Sequence, residues 1–183
     1  MSVADKLFVT ADHHFGHKKI IELQNRPFES IEQMNELLIF YWNEVVRPQD
    51  TVIHLGDLCM GGRATAEEII PRLNGKILLV RGNHDYNANF YRSFGDKVSI
   101  LPHAYQLGIG GFLPWNGVVF SHKPIPLALV PSTMINIHGH THAQPNLEIV
   151  PYNNRIDVGV DGWNFRPQTL GSILRQLPRI GEK

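Results

Sequence analysis

Short apolar runs recur along the chain, and each stops abruptly at a polar cluster. Residues 6–10, 51–55 and 76–80 are β-branched and apolar enough to read as buried strands, as are the shorter runs at 118–120 and 134–137. Further strands fit residues 98–101 and 104–109, separated by Pro102, and residues 147–150 and 155–160, joined around Asn153 and Asn154. In the last of these, Ile156, Val158 and Val160 alternate with Asp157, Gly159 and Asp161. The clearest helical period lies between Ser30 and Val46. There Ile31, Met34, Leu37, Leu38, Tyr41, Trp42 and Val45 form one apolar stripe, Ser30 and Gln33 have capping-box spacing, and Pro48 stops the helix. Thr65 and Glu68 repeat that spacing and predict a second helix toward Leu73, shortened or bent by Pro71 and ended at Asn74-Gly75. A short helix fits residues 87–94. A final one fits residues after Thr169, with Leu170, Ile173, Leu174 and Leu177 on one face. Residues 108–117, rich in Gly, Pro and Asn, read as a turn or mobile loop. Strands alternating with helices predict a layered α/β sandwich whose strands deliver loops to one edge.

Composition narrows this picture. The chain has 183 residues, most simply one domain spanning 1–183, and no repeat or low-complexity linker divides it. Lys plus Arg and Asp plus Glu are both 17, which argues against a broad electrostatic footprint for nucleic acid or an anionic membrane. It leaves room for a small anionic substrate held by a local positive site. Cys59 is the sole cysteine, so an intrachain disulfide and a cysteine-based zinc site are excluded, and a cytoplasmic location is expected. No signal segment and no run of about 18 apolar residues is present, so no membrane span is expected. The unusual feature is ten histidines, most of them in or beside short clusters.

The clusters sit where the apolar runs end. The first run leads to Asp12 and His14, the second to Gly56 and Asp57, and the third to Asn83 and His84. The run at 118–120 leads to His122, and the run at 134–137 to His138, His140 and His142. Side chains two apart in an extended chain point the same way, so His140 and His142 face one site together if the extension holds through Thr141. Any one of these sets also has an ordinary explanation as a polar turn, a helix cap or a paired histidine. Their recurrence at five strand ends is the stronger signal, because chance does not order all five this way.

The five motifs resemble those of the calcineurin-like metallophosphoesterase superfamily, in the form of its small, single-domain prokaryotic or phage-type members. They are Asp12-His13-His14, Gly56-Asp57, Gly82-Asn83-His84-Asp85, His122 and Gly139-His140-Thr141-His142, in family order over residues 12–142. The resemblance implies a four-layer α-β-β-α sandwich with two facing mixed sheets. It further implies that one divalent ion is held by Asp12, His14, Asp57 and His142, and a second by Asp57, Asn83, His122 and His140. Two such ions neutralise phosphoryl oxygens and make the attacking water a hydroxide near neutral pH; they lie about 3.5–4 Å apart, which suits a bridging carboxylate. By the same resemblance His84 is not a ligand but assists the leaving group, and Asp85 orients it.

Carboxylate, imidazole and carboxamide ligands without thiolate fit Mn, Fe, Zn, Ni or Co, with Mn favoured from the resemblance. The expected activity is hydrolysis of a phosphate ester, a phosphodiester by preference, with small and cyclic nucleotides as substrates to try. A phosphomonoesterase with the same core is the alternative, and a non-catalytic metal-binding scaffold a more distant one. Arg81 and His17 are candidate substrate contacts, against a surface salt bridge for Arg81 and a helix-start hydrogen bond for His17. Phe112, Trp115 and the segment 161–167 are candidates for specificity or simply for packing. Cys59, His13, His54, His103 and His138 are expected to be structural. A small phosphate-ester substrate, rather than a membrane or nucleic acid, is the expected partner, and homo-oligomerisation is left open.

Overall fold

The computed structural model describes residues 6–112, 115–142 and 154–176, with the side chains of 110–112 and 115 outside that description. Two sheets are present. The first has the order β4-β3-β2-β1-β9, and the second β5-β6-β7-β8. Strands β1 (Leu7–Thr10), β2 (Thr51–His54), β3 (Lys76–Leu79) and β4 (Val98–Ile100) run parallel, while β9 (Gln168–Thr169) pairs antiparallel with β1. In the second sheet β5 (Ala104–Phe112) is antiparallel to β6 (Trp115–Ser121), and β6, β7 (Met134–His138) and β8 (Arg155–Asp157) are parallel. Both sheets are therefore mixed, and with their flanking helices they give the expected sandwich class.

The two-residue period of the strands sets the layers. Phe8, Val52, Ile77 and Leu79 point into one core, where they meet Ile20, Met34, Leu38, Trp42, Ala66, Ile69 and Tyr91 from the helices covering that face. Those helices are α1 (Lys19–Leu23), α2 (Ile31–Val45), α3 (Arg63–Ile69) and α4 (Ala88–Arg92). Val9, Ile53, Leu55 and Val80 point the other way and pack between the sheets against Val118, Phe120, Ile135 and Ile137. Helix α5 (Leu170–Arg175) adds Leu170, Ile173 and Leu174 to this second core.

Local chemistry explains most boundaries. Ser30 caps α2 by accepting from the Gln33 amide (3.1 Å), and the Gln33 carboxamide accepts from the Glu29 amide (2.6 Å). Asn87 and Thr169 cap α4 and α5 in the same manner. Two expectations need correction. Helix α3 starts at Arg63 with Gly62 before it, and the Thr65 hydroxyl donates back to the Gly61 carbonyl instead of capping. Residues 108–112 and 115–117 belong to strands β5 and β6 rather than to a loop: Gly108 pairs with Gly117 and Phe112 with Trp115, and the irregular register between Gly108 and Phe112 accommodates the residues between them. The predicted strand at 147–150 and Leu177 lie outside the described residues. Among the described residues no helix is long and apolar enough to cross a membrane.

A buried histidine pair lies beneath the first strand ends. His13 and His54 are 2.9 Å apart through Nδ1 and Nε2, and the Gly56 amide donates to His54 Nδ1 (3.2 Å). His54 thus keeps its proton on Nε2 and donates it to His13. Burial, then the nearby His122, holds His54 at about 3, and burial, then His54, holds His13 well below the ordinary value. The unfolded chain takes up these protons near pH 6.5 and the folded chain does not, so stability falls as pH drops from about 6.5 toward the folded value. His54→Gln should make that fall shallower by up to about 1.4 kcal/mol per pH unit in urea unfolding. An unchanged slope would show that this pair does not govern the acid limb.

Candidate metal centre

The parallel strands β1, β2 and β3 of one sheet and β6 and β7 of the other all end at the same edge. Backbone bonds lock those ends together. The Asp12 amide donates to the Gly56 carbonyl (3.0 Å), His14 to Asp57 (3.0 Å) and Gly139 to His122 (3.0 Å). Ala11 crosses to the second sheet, donating to Val158 and accepting from Val160 (both 3.1 Å).

Two triads of potential ligands form there. Asp12, His14 and His142 have ligand atoms within 4.8 Å of one another, and so do those of Asp57, His122 and His140. The rings of His14 and His142 stack at 5.2 Å, and those of His122 and His140 meet edge-on at 5.0 Å. Asp57 of the second triad also faces the first: its Oδ2 is 3.7 Å from His14 Nε2 and 3.5 Å from His122 Nε2. Asn83 joins the second triad, with Oδ1 3.0 Å from His122 Nε2. The other nitrogen of His122 is committed, since Nδ1 donates to the Leu55 carbonyl (2.8 Å). Its Nε2 therefore offers a lone pair to a space already faced by the Asn83 and Asp57 oxygens.

The donor set fits cations. Asp12 Oδ1 and both ring nitrogens of His14 are buried without a hydrogen-bond partner, a costly state for polar atoms unless something else satisfies them. Burial, then Asp157, raises the Asp12 carboxyl well above its usual range, with Asp57 and Asp161 adding to the repulsion. Burial, then His142, lowers His14 to about 2, which keeps it a neutral imidazole able to ligate. Oxygen and imidazole donors without sulfur suit a first-row divalent ion.

The backbone here is strained. Asp12, His14, Asp57, His140 and His142 all have positive φ, between 50° and 72°. They are five of the eight such non-glycine residues among those described, so the strain gathers at this edge, as it does at functional sites. Close approach demands glycine beside them. A Cβ on Gly82 would lie 2.1 Å from Asp57 Oδ1, and Gly56, at φ +97°, packs against the Gly82 backbone. Gly82→Ala is expected to cost about 3 kcal/mol in denaturant unfolding of metal-free protein. A loss below about 1 kcal/mol would mean that the two loops separate easily.

His84 stands exposed at the mouth, its ring 5.6 Å from that of His14, while its amide donates to Asp57 Oδ1 (2.9 Å). The expected role of Asp85 needs correction. Its carboxylate accepts from the amides of Asp57 (2.8 Å), Leu58 (2.9 Å) and Gly82 (2.8 Å) and from the Tyr91 hydroxyl (2.7 Å), and none of these donors is the His84 imidazole. Asp85 fastens the loop after β2 to the loop after β3, so it places Asp57 rather than orienting His84. Among the described residues Arg81 forms no salt bridge; it donates to the Tyr86 carbonyl (3.2 Å). The ring of His17 lies 5.5 Å from that of His14, with its Nδ1 buried and unpartnered. Cys59 packs in the first core and donates weakly to the Phe15 carbonyl, and burial pushes its thiol up to about 11. In the segment 161–167, Trp163 and Phe165 pack against the cores, which favours the packing alternative for both. The side chains of Phe112 and Trp115 lie outside the described residues.

Sequence reasoning missed Arg26. It is 4% exposed, and it grips Asp161 through Nε (2.7 Å) and a terminal nitrogen (2.9 Å). It also donates to the carbonyls of Asp12 and His13 (both 2.8 Å). Asp161 in turn accepts from His142 Nδ1 (2.8 Å). Burial raises the Asp161 carboxyl, but the bonds from His142 and Arg26 outweigh it and leave it below its usual range. No local motif marks a pair 135 residues apart.

Comparison with known proteins points the same way. The profile of the calcineurin-like phosphoesterase family matches residues 6–165. An uncharacterized protein of Methanocaldococcus jannaschii is 34% identical over 182 residues, covering 95% of this chain and 92% of its own. The gene 66 protein of Mycobacterium phage L5 is 29% identical over 178 residues, covering 84% of this chain and 86% of its own. The crystal structure of an Aquifex aeolicus protein of unknown function superimposes with a TM-score of 0.71 at 22% identity, over 93% of this chain and 98% of that one.

Proposed function

The chain belongs to the calcineurin-like phosphoesterase family, and we propose on that footing that it is a two-metal phosphoesterase acting by preference on phosphodiesters. The observation that supports this most is the position of Asp57, whose Oδ2 faces both His14 and His122 within 4 Å. One carboxylate between two histidine-rich triads is the arrangement a pair of close cations needs. In this reading Asp12, His14, Asp57 and His142 hold one ion, and Asp57, Asn83, His122 and His140 the other. Manganese is the first choice, with Fe, Zn, Ni and Co suited to the same donors.

Bound cations would supply neutralisation of the phosphoryl oxygens and a lowered pKa for water. The protein supplies the rest. The buried donors keep their lone pairs directed at one place, and the strained loops hold them there without reorganisation at the moment of reaction. His84 is free to give a proton to the departing oxygen, since its imidazole is exposed beside His14 and is not tied by Asp85. His17 and Arg81 contact the substrate's remaining oxygens or its ester group.

The preference for diesters follows the resemblance to small stand-alone members of the family. It is tested by comparing turnover of bis-p-nitrophenyl phosphate with that of p-nitrophenyl phosphate under added Mn, Fe, Zn, Ni and Co in turn. Faster diester turnover is expected. Faster monoester turnover would make the protein a phosphatase, and no turnover with any ion would remove the enzymatic reading.

A further inference from the structure

We propose that Arg26 is a positioning residue for one of the two cation sites, that of Asp12, His14 and His142, and not for the other; this rests on the two-metal reading above. Two ligands of that triad, Asp12 and His142, and the residue before the third, His13, are tied to the one guanidinium. Through Asp161, which it grips with two nitrogens, Arg26 fixes the imidazole of His142. The carboxylate accepts from Nδ1, so His142 carries its proton there and keeps its lone pair on Nε2. Through the carbonyls of Asp12 and His13, Arg26 also pins the turn that carries Asp12 and His14, both at positive φ.

Arg26 has a further consequence for Asp161. With its charge matched by a buried guanidinium, this carboxylate stays a hydrogen-bond acceptor for His142 and does not compete with Asp12 as a ligand. Lysine cannot replace this arrangement. An ammonium is a point charge without the planar fork that reaches both oxygens of Asp161 and two carbonyls at once. The second triad has different side-chain supports: the Leu55 carbonyl for His122 and Asp85 for the backbone of Asp57. Neither touches Arg26, and the Asp12 oxygen that accepts from the His140 amide (2.8 Å) is Oδ2, whereas Arg26 holds the Asp12 carbonyl.

The test separates the sites by removing one at a time. In metal-free His140→Ala protein the remaining strong site is the one that contains His14 and His142. In His14→Ala protein it is the one that contains His122 and His140. Mn²⁺ binding is measured by calorimetry in both backgrounds, with and without Arg26→Lys. The expected result is weakening by roughly 10–100-fold in the His140→Ala background, as for other groups that orient metal-ligating histidines, and less than about a twofold change in the His14→Ala background. Asp161→Asn is expected to reproduce the pattern and serves if Arg26→Lys does not fold.

A second readout needs neither variant nor metal. Imidazole ¹⁵N shifts of the metal-free wild-type protein should show His142 as the Nδ1–H tautomer. Equal weakening in both backgrounds, no weakening in either, or an Nε2–H tautomer would overturn the positioning role while leaving two-metal binding intact. Wild-type protein that binds no cation would instead overturn the two-metal reading itself.

Discussion

Asp57→Ala should lower phosphodiester turnover about a thousandfold and reduce cation binding at both sites. Several kcal/mol of transition-state charge stabilisation come from a metal pair, and about 4 kcal/mol corresponds to that factor. Among the described residues Asp57 is the carboxylate that faces histidines of both triads, 3.7 Å from His14 and 3.5 Å from His122. It is also almost fully buried. The substitution further removes the acceptor for the His84 amide. Asp57→Asn separates the two effects, because its carboxamide oxygen still accepts from that amide while the charge is gone. If charge between the cations is what matters, Asn is nearly as damaging as Ala, as measured by kcat at saturating Mn²⁺. An Asn variant that keeps more than about a tenth of the activity would show that Asp57 is only a structural acceptor.

His84→Ala should have the next largest effect, and that effect should depend on the leaving group. General acids contribute about 10²–10⁴-fold. An alkoxide leaving group needs the proton, whereas p-nitrophenolate departs without it. With an alkyl diester, kcat should fall by about a hundredfold or more, and with the p-nitrophenyl diester by much less. Equal losses on the two substrates would indicate that His84 binds substrate or steadies the loop instead of donating a proton. The ring is exposed beside that of His14, and the carboxylate of Asp85 is occupied by other donors.

Much of this site was legible in the sequence because its residues follow strands, and a strand announces itself in a short window. The runs before Asp12, Asp57, Asn83, His122 and His140 are apolar and β-branched, and the polar residue after each marks where the sheet ends. What was not legible depends on contacts across the chain. Arg26 follows α1 in an unremarkable stretch, and its partner Asp161 follows the last strand of the second sheet. The partners of Asp85 are hidden for a similar reason. Its neighbour in sequence is His84, but its neighbours in space are the amides after β2 and the Tyr91 hydroxyl. The glycine-rich stretch around residue 110 reads as a turn or mobile loop because glycine disfavours strands in isolation. Pairing on either side of it, Gly108 with Gly117 and Phe112 with Trp115, carries the strand through.

Phosphoester hydrolysis through two cations shared by Asp57 can be followed by titrating metal-free protein with Mn²⁺ and recording bis-p-nitrophenyl phosphate hydrolysis at each addition. The expected rate climbs to a plateau at two bound ions per chain and is nearly abolished throughout by Asp57→Ala. A plateau reached at one ion, or one that Asp57→Ala leaves unchanged, would contradict it.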